Sequence, residues 1–151
     1  MAKPSVMRPT SADVDAFLDS IPDATRRSDA KTLCEMFGQL TGEVPVMWGP
    51  SIVGFGTLHY RYESGREGML PLAGFAPRAA NLVVNLMNGF EVRDGDLLAK
   101  LGVYRTGVSK LYIKKLADVD LPTLHELVGR SVLVSRDAER ASHLLRVKQH
   151  P

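Results

Sequence analysis

The chain of 151 residues lacks the features that mark several large classes of protein. A single cysteine excludes an intramolecular disulfide framework and is typical of a reducing compartment. The longest stretch without a formal charge, residues 44–60, contains two prolines and three glycines, so it cannot form a membrane-spanning helix. The first ten residues are polar and have no apolar core of the kind that a signal peptide needs. We therefore expect a cytoplasmic protein without a membrane partner.

Net charge is also scarce, because 19 Lys and Arg stand against 17 Asp and Glu and leave +2. Such a balance argues against nucleic acid as the partner. Hydrophobic residues make up 44% of the chain and charged residues 24%, which is ordinary for a globular protein long enough to bury a core. We predict a flexible N-terminus over residues 1–10, one domain over 11–136, and either a C-terminal helix or a basic tail over 137–151.

Apolar residues spaced three and four apart predict helices at both ends of the chain. Thr10 is the expected cap of the first helix, which Pro22 ends. Asp23 is the expected cap of the second, and Gly42 its left-handed C-terminal residue. The predicted helices cover residues 11–21, 24–41 and 94–101, the last closed by Gly102, with a longer helix starting after Asp120.

Between these helices the period changes to two, which indicates strands. We predict strands over residues 56–62, 69–75, 80–87 and 109–114, and a tight turn at Asn88-Gly89. Because no helix lies between the early strands, the sheet should be largely antiparallel. The sequence therefore predicts an α+β fold with helices packed on one face of the sheet.

Basic and aromatic residues near the predicted strand ends suggest a binding site for a small anion. Residues 100–117 carry five basic and no acidic side chains, and Lys110 and Tyr112 share one strand face. The alternative explanation is a solvent-exposed outer face of the sheet, where the tyrosine ring packs on the lysine stems. A guanidinium suits a carboxylate or phosphate, and aromatic walls are typical of ligand pockets. The predicted ligand-binding residues are Trp48, His59, Arg78, Arg105 and Tyr112, with Arg78 and Arg105 as the anion-binding pair.

Trp48 carries a second expectation. It lies in a Gly- and Pro-rich turn that enters a strand, and we predict that its buried ring anchors the junction of the helices and the sheet.

Evidence for metal binding or catalysis is weaker. Asp15 and Asp19 lie one helical turn apart and could offer two carboxylates to a hard cation such as Fe²⁺, although a solvated helix face is the better explanation. Cys34 lies on an apolar stripe and is best explained as a small buried hydrophobe. His59 could act as a general base, but the sequence shows no partner that would orient it. We expect no catalytic residues.

Several segments together resemble one known family. They are Met47-Trp48-Gly49-Pro50-Ser51-Ile52-Val53-Gly54-Phe55-Gly56, His59-Tyr60-Arg61-Tyr62, Ser64-Gly65-Arg66-Glu67-Gly68, Gly74-Phe75-Ala76-Pro77-Arg78 and Leu111-Tyr112-Ile113-Lys114. In this combination the chain resembles the YdhG-like family, domain of unknown function 1801, over about residues 12–134. The resemblance implies an α+β fold and a bacterial, cytoplasmic protein. Some relatives are described as frataxin-like iron chaperones.

The chain departs from the family pattern at two places. Ala79 stands where members often have lysine after Pro-Arg, and Lys110 precedes the Leu-Tyr-Ile segment where members often have cysteine. An anion site shared with the family is therefore altered here. The function we expect is a non-enzymatic binding domain for a small anionic ligand. The alternative is an iron-binding chaperone that delivers iron to heme or iron–sulfur assembly.

Overall fold

A six-stranded antiparallel sheet and the helices on one of its faces make up the fold, as the sequence predicts. The computed structural model describes residues 8–61, 65 and 67–149, with the backbone alone for residues 60, 61, 67 and 140–149. Residues 62–64 and 66, between the first two predicted strands, lie outside the described residues. So do residues 1–7 of the expected flexible N-terminus and the last two residues of the chain.

Side-chain caps define the N-terminal helices. Helix α1 spans Val14–Asp19 and α2 spans Ala24–Thr41. Asp23 caps α2 by accepting from the backbone N–H of Arg26 at 2.8 Å, and Gly42 ends it with φ 72°. Both ends of α2 were predicted. The expected cap of α1 is wrong, because Asp13 accepts from Ala16 N while Thr10 Oγ1 accepts from Ala12 N outside the helix.

The strands are short except for one long hairpin. Strand β1 spans Pro45–Trp48, β2 Ile52–Arg61, β3 Glu67–Pro77, β4 Leu82–Asn85, β5 Arg105–Gly107 and β6 Lys110–Ile113. Their order across the sheet is β1-β2-β3-β4-β6-β5, and every neighbouring pair is antiparallel. Helices α3 (Phe90–Arg93) and α4 (Gly95–Leu101) connect β4 to β5, and α5 spans Leu121–Gln149.

One face of the sheet carries the core. Alternate strand residues such as Val53, Phe75 and Leu111 pack with the apolar sides of α2 and α5 in a single buried cluster. Helix α4 is fixed to α5 because Arg130 binds Asp96 with two hydrogen bonds of 3.0 and 3.1 Å. The helices therefore cover this face of the sheet, and α5 fixes the position of α4 in the connection between β4 and β5.

Trp48 is buried as predicted, with 1% of its surface exposed, but its expected location is wrong. Its register partner is Ile52, whereas Met47 pairs with Val53 on the core side. Directly opposed residues of an antiparallel pair point to the same face, so Trp48 lies on the face away from the helices. The indole there covers Gly54, where an added Cβ would lie 2.6 Å from Trp48 Nε1.

Both chain ends extend the fold further than the sequence indicates. Residues 8–10 run along β1, where Thr10 N donates to Met47 O at 2.8 Å and Gly49 N donates to Arg8 O at 3.3 Å. At the other end α5 continues without interruption to Gln149, through the segment expected to be a separate helix or a tail.

Candidate functional site

The candidate site lies where the ladder between β3 and β4 stops. Gly74 pairs with Asn85, and no described pair continues beyond it, although β3 runs back to Glu67. The long β2–β3 hairpin therefore passes beyond the end of β4. The sequence predicted a strand as far as Met87, and the earlier end at Asn85 opens a gap between the hairpin and the chain after β4.

A cavity of about 410 Å³ occupies this gap. Its volume lies within the range of pockets that bind small organic molecules. The hairpin forms one wall, the segment after β4 the opposite wall, the β5–β6 turn a third, and α5 the floor. The lining residues are Leu58, Leu70, Pro71, Leu72, Ala73, Asn85, Leu86, Met87, Asn88, Ser109, Lys110, Ser131 and Ser135.

The walls combine apolar surface with polar groups. Leu58 pairs across the hairpin with Leu70, and Leu70 keeps 41% of its surface exposed. The amides of Asn85 and Asn88 and three serine hydroxyls are the uncharged polar groups of the lining. An apolar wall with a few convergent polar groups is the usual composition of a small-molecule site.

Lys110 is the only charged residue of the lining, which contains no Asp, Glu, His or Cys. It begins β6 and pairs with Asn85 on one side and Gly107 on the other. In the described part of the chain no carboxylate lies within ion-pair distance of its ammonium group. An anion beside Lys110 would therefore not have to displace a carboxylate of the described residues.

One hydrogen bond ties the segment after β4 to helix α5. Ser131 Oγ accepts from the backbone N–H of Met87 at 2.9 Å and draws the chain after β4 toward the helix. Both Ser131 and Ser135, one turn further along, are buried at 6% and 1% exposure. The course of the chain after β4, which forms one wall of the cavity, therefore depends on how α5 packs against the sheet.

The five residues predicted from sequence lie in several separate places, and none of them lines this cavity. Arg105 and Tyr112 are neighbours, since they are register partners and the guanidinium carbon lies 5.2 Å from the ring centroid. They share the outer face with Trp48, but four strand spacings, about 19 Å, separate β1 from β6. Tyr112 therefore stacks with an arginine rather than with Trp48.

The remaining two predicted residues lie at opposite ends of the hairpin. His59 is exposed near its tip, opposite Met69. Arg78 is exposed after β3, and its carbonyl accepts from Arg26 Nη1, while Arg26 Nη2 donates to Lys114 O at 3.1 Å. Arg78 follows β3 and Arg105 begins β5, and these two strands are three spacings apart, about 14 Å. This arrangement does not bring the two guanidinium groups to one shared pocket.

The sequence pattern indicated Lys110 as one of a row of basic residues that shares a strand face with Tyr112, but not as a ligand-binding residue. It did not identify Asn85, Ser131 or Ser135 as site residues, because none belongs to a spacing pattern that indicates chemistry. The available signal was the Asn85–Asn88 segment, in which two amides follow a buried strand. They meet the serines only through the packing of α5, which no local pattern encodes.

The acidic residues of α1 show no additional ligands. Asp19 accepts an ion-pair contact of 2.7 Å from Lys31, and this hydrogen bond and charge hold the pKa of its carboxyl below the usual value. Asp15 is exposed. Across the residues that the structure describes, no group of three or more His, Cys, Asp or Glu side chains is placed to hold a metal ion.

Cys34 is half-buried in α2. Burial raises the pKa of its thiol, and the nearby charges of Asp15 and Glu35 raise it further. A thiol in such surroundings is a poor nucleophile at neutral pH, because the thiolate is the reactive form.

A second, shallower depression of about 420 Å³ lies between α2 and the start of α5. Glu35 and His125 are its titratable groups.

Within the described ranges, no helix is both long and apolar enough to cross a membrane.

Comparison with known proteins gives no relative: no family model, no curated protein and no solved structure matches this chain. The site's own geometry therefore carries the functional argument.

Proposed function

We propose that the protein is a non-enzymatic binding domain for a small amphiphilic anion, which it holds in the cavity between the β2–β3 hairpin and the end of β4. The observation that carries this proposal is the composition of that cavity. Its walls are mainly apolar, and Lys110 is the only charged residue of its lining. An apolar body would pack against Leu58 and Leu70, while the anionic head would lie near Lys110 and the two asparagines.

The lining also favours binding over catalysis. General acid–base catalysis needs a group that exchanges a proton near neutral pH, most often a histidine or a carboxylate. The cavity contains neither. Its serines have no histidine beside them in the lining to act as a base. The proposal keeps the small anionic ligand expected from the sequence but assigns it to different residues.

The likeness to the YdhG-like family and a cytoplasmic location stay predictions. An α+β arrangement with helices at both ends is compatible with that family. Among the described residues nothing favours iron carriage, since Asp19 is already paired with Lys31. Iron delivery is therefore not proposed.

Three probes of equal chain length and different head group test the proposal: decanoate, decanol and decylamine. We expect decanoate to raise the melting temperature most and decylamine least. A ligand at a hundred times its Kd stabilises the folded state by about 2.7 kcal/mol, which is easily measured. If all three probes shift the melting temperature equally, no anion site exists in the cavity.

Two pairs of variants locate the site. Lys110→Met should abolish the preference for decanoate over decanol, whereas Lys100→Met, an exposed lysine of α4, should leave it unchanged. Asn88→Trp places a ring at the cavity wall and should block all binding. Val92→Trp adds the same ring at a residue that is 91% exposed and outside the lining, and should have no effect. Equal behaviour within either pair would contradict the proposed location.

A further inference from the structure

The two edges of the sheet differ in what covers them. Strand β1 at one edge is accompanied by residues 8–10, and Thr10 N donates to Met47 O at 2.8 Å. Strand β5 is the last strand at the opposite edge. It pairs with β6 on one side, and no backbone hydrogen bond reaches its other side from any residue that the structure describes. An uncovered strand edge is a template on which another extended chain can pair.

The backbone groups of Thr106 point out from this edge. Gly107 and Lys110 are register partners across a two-residue turn, and the residues that close such a turn exchange their N–H and C=O groups with each other. Neighbouring strand residues direct these groups to opposite sides, so those of Thr106 point away from β6. The next pair of strands agrees, because Leu86 N donates to Ser109 O at 3.0 Å, which leaves the groups of Lys110 on the side of β5.

Exposed apolar side chains lie at both ends of β5. Val103, two residues before the strand, has 68% of its surface exposed, and Val108, directly after it, has 82%. Natural proteins protect a sheet edge with short strands and charged side chains, and β5 is short, but exposed valines offer no such protection. They are apolar contacts for a chain that extends along β5 and beyond both of its ends.

The two faces of β5 differ in charge. On the outer face the Arg105 guanidinium carbon lies 5.2 Å from the centroid of the Tyr112 ring, and Lys110 lies on the same face by strand alternation. In the described part of the chain, no carboxylate lies within ion-pair distance of Arg105. On the helix face Thr106 Oγ1 donates to Glu91 Oε2 at 2.6 Å, so this side carries a carboxylate. An added strand therefore fits when its acidic side chains face outward and its apolar side chains face the helices.

We propose that β5 is a docking edge for an extended acidic segment of another protein, which pairs antiparallel to it as a seventh strand. One residue of that segment exchanges both backbone hydrogen bonds with Thr106, and a neighbouring residue places a carboxylate opposite Arg105. Main-chain bonds give such complexes their affinity, and alternate side chains give them their specificity. A second copy of this chain fits less well, because antiparallel self-pairing would bring the basic outer faces of both hairpins together. The inference concerns a different surface from the cavity and does not depend on the proposed function.

Four pentapeptides test the pairing by titration calorimetry, each with an N-terminal acetyl group and a C-terminal amide. The first is Val-Glu-Val-Glu-Val, and the second, Val-Lys-Val-Lys-Val, reverses its charge. The third and fourth are the acidic peptide with one N-methyl group, at the central valine or at the second glutamate. The central valine N–H would donate to Thr106 O, whereas the glutamate N–H would point away from β5.

We expect N-methylation of the central valine to weaken binding about tenfold, because the hydrogen bond to Thr106 is lost. N-methylation of the glutamate should leave the affinity unchanged. The lysine peptide should bind about fivefold more weakly than the acidic one, because its charges repel Arg105.

Two variants and hydrogen exchange followed by NMR locate the site. Arg105→Glu should reverse the preference between the acidic and the basic peptide. Arg8→Glu, at an exposed residue beside β1 on the opposite edge, should leave that preference unchanged. The acidic peptide should slow exchange of the Thr106 amide by about tenfold or more. The Gly107 amide is the matched control, because it is directed to Lys110, and its exchange should not change.

Equal affinities of the four peptides, or unchanged Thr106 exchange in the presence of the acidic peptide, would overturn the proposed pairing. The absence of any binding would overturn it as well. A dimer in sedimentation velocity, together with a Thr106 amide that is already protected in the free protein, would assign the edge to a second copy and overturn the acidic partner.

Discussion

At the scale of single residues, Trp48 and Gly54 depend on each other. The indole lies directly over the glycine on the outer face of the sheet, and a Cβ at Gly54 would meet Trp48 Nε1 at 2.6 Å and Pro71 Cβ at 2.9 Å. Neither neighbour can move freely, because Trp48 is 1% exposed and Pro71 is part of β3. The absence of a side chain at Gly54 is thus a packing requirement.

Gly54→Ala should therefore destabilise the protein by about 1–3 kcal/mol, the usual result of forcing an extra carbon into a filled space. Urea unfolding followed by Trp48 fluorescence measures the change. Gly95→Ala is the control, since a Cβ at Gly95 meets nothing within 4 Å, and it should leave the unfolding free energy almost unchanged. A loss at Gly95 equal to that at Gly54 would contradict this explanation.

Asp19 allows a pH prediction at the same scale. The hydrogen bond and the charge of Lys31 lower the pKa of this carboxyl in the folded state. A lowered folded-state pKa contributes stability above the pKa of the unfolded state, and this stability is lost as the pH falls through the folded value. The contribution should be small, because the pair is exposed to solvent.

NMR titration of the Asp19 carboxyl should accordingly give a midpoint below 3.8. In Lys31→Met the midpoint should rise toward that value, while the midpoint of Asp96, whose pKa is lowered by Arg130 instead, should not change. An unchanged Asp19 midpoint in the variant would show that Lys31 does not hold the carboxylate. Because the same ammonium group would compete with a cation, this titration also bears on metal binding at α1.

At the scale of helices and strands, two glycines should respond to alanine with opposite changes in stability. Gly129 lies inside α5, and a Cβ there would lie 3.5 Å from Leu40 Cδ2, an ordinary contact. Gly102 follows α4 with φ 120°, and a Cβ there would meet Asp118 O and lie 3.1 Å from Val119 Cα. Gly129→Ala should stabilise the protein by about 0.5–1 kcal/mol through helix propensity. Gly102→Ala should destabilise it by about 2 kcal/mol or more.

Thermal and urea unfolding of both variants measure these changes. A stability loss in Gly129→Ala would mean that α5 packs more tightly on Leu40 than a van der Waals contact implies. A neutral Gly102→Ala would mean that the isolated bridge between Gly102 and Val119 does not constrain the chain.

Elements with local signals could be predicted, and elements that depend on pairing could not. Helix α2 was predicted with both of its ends, because Asp23 and Gly42 act within the helix itself. Strands β1 and β5 have only four and three residues, too few to show a period, and they exist because longer strands pair with them. The turn predicted at Asn88-Gly89 is present, but Gly89 leads from it directly into helix α3, which the sequence did not indicate.

The candidate site escaped prediction for a related reason. The apolar residues Leu86 and Met87 continue the pattern of β4, so the sequence gives no sign that the strand ends at Asn85. The end is decided by Ser131, 44 positions away, which takes the N–H of Met87. Basic and aromatic residues were visible in the sequence, but only the fold determines which of them share a cavity.

At the scale of the whole molecule, a gap in the packing costs stability, because the atoms around it lose packing contacts. The cavity between the hairpin and α5 should therefore be a site where stability and binding oppose each other. Ser131 and Ser135 separate the two effects, since both are buried and both line the cavity. Ser131 also accepts the hydrogen bond from Met87, whereas no side-chain hydrogen bond of Ser135 is found among the described residues.

Ser135→Leu should fill part of the gap with apolar atoms, raise the unfolding free energy by about 1 kcal/mol and weaken decanoate binding at least tenfold. Ser131→Leu adds the same atoms but leaves the buried N–H of Met87 without its acceptor, which should cost about 1–3 kcal/mol. Urea unfolding and calorimetry on the same two variants measure both quantities. If Ser135→Leu loses stability while decanoate still binds, the space beside α5 is already filled by its neighbours, and the ligand cannot lie there. Opposite stability changes in two serines one helical turn apart, with binding lost in Ser135→Leu, would place the ligand in the gap that the early end of β4 leaves.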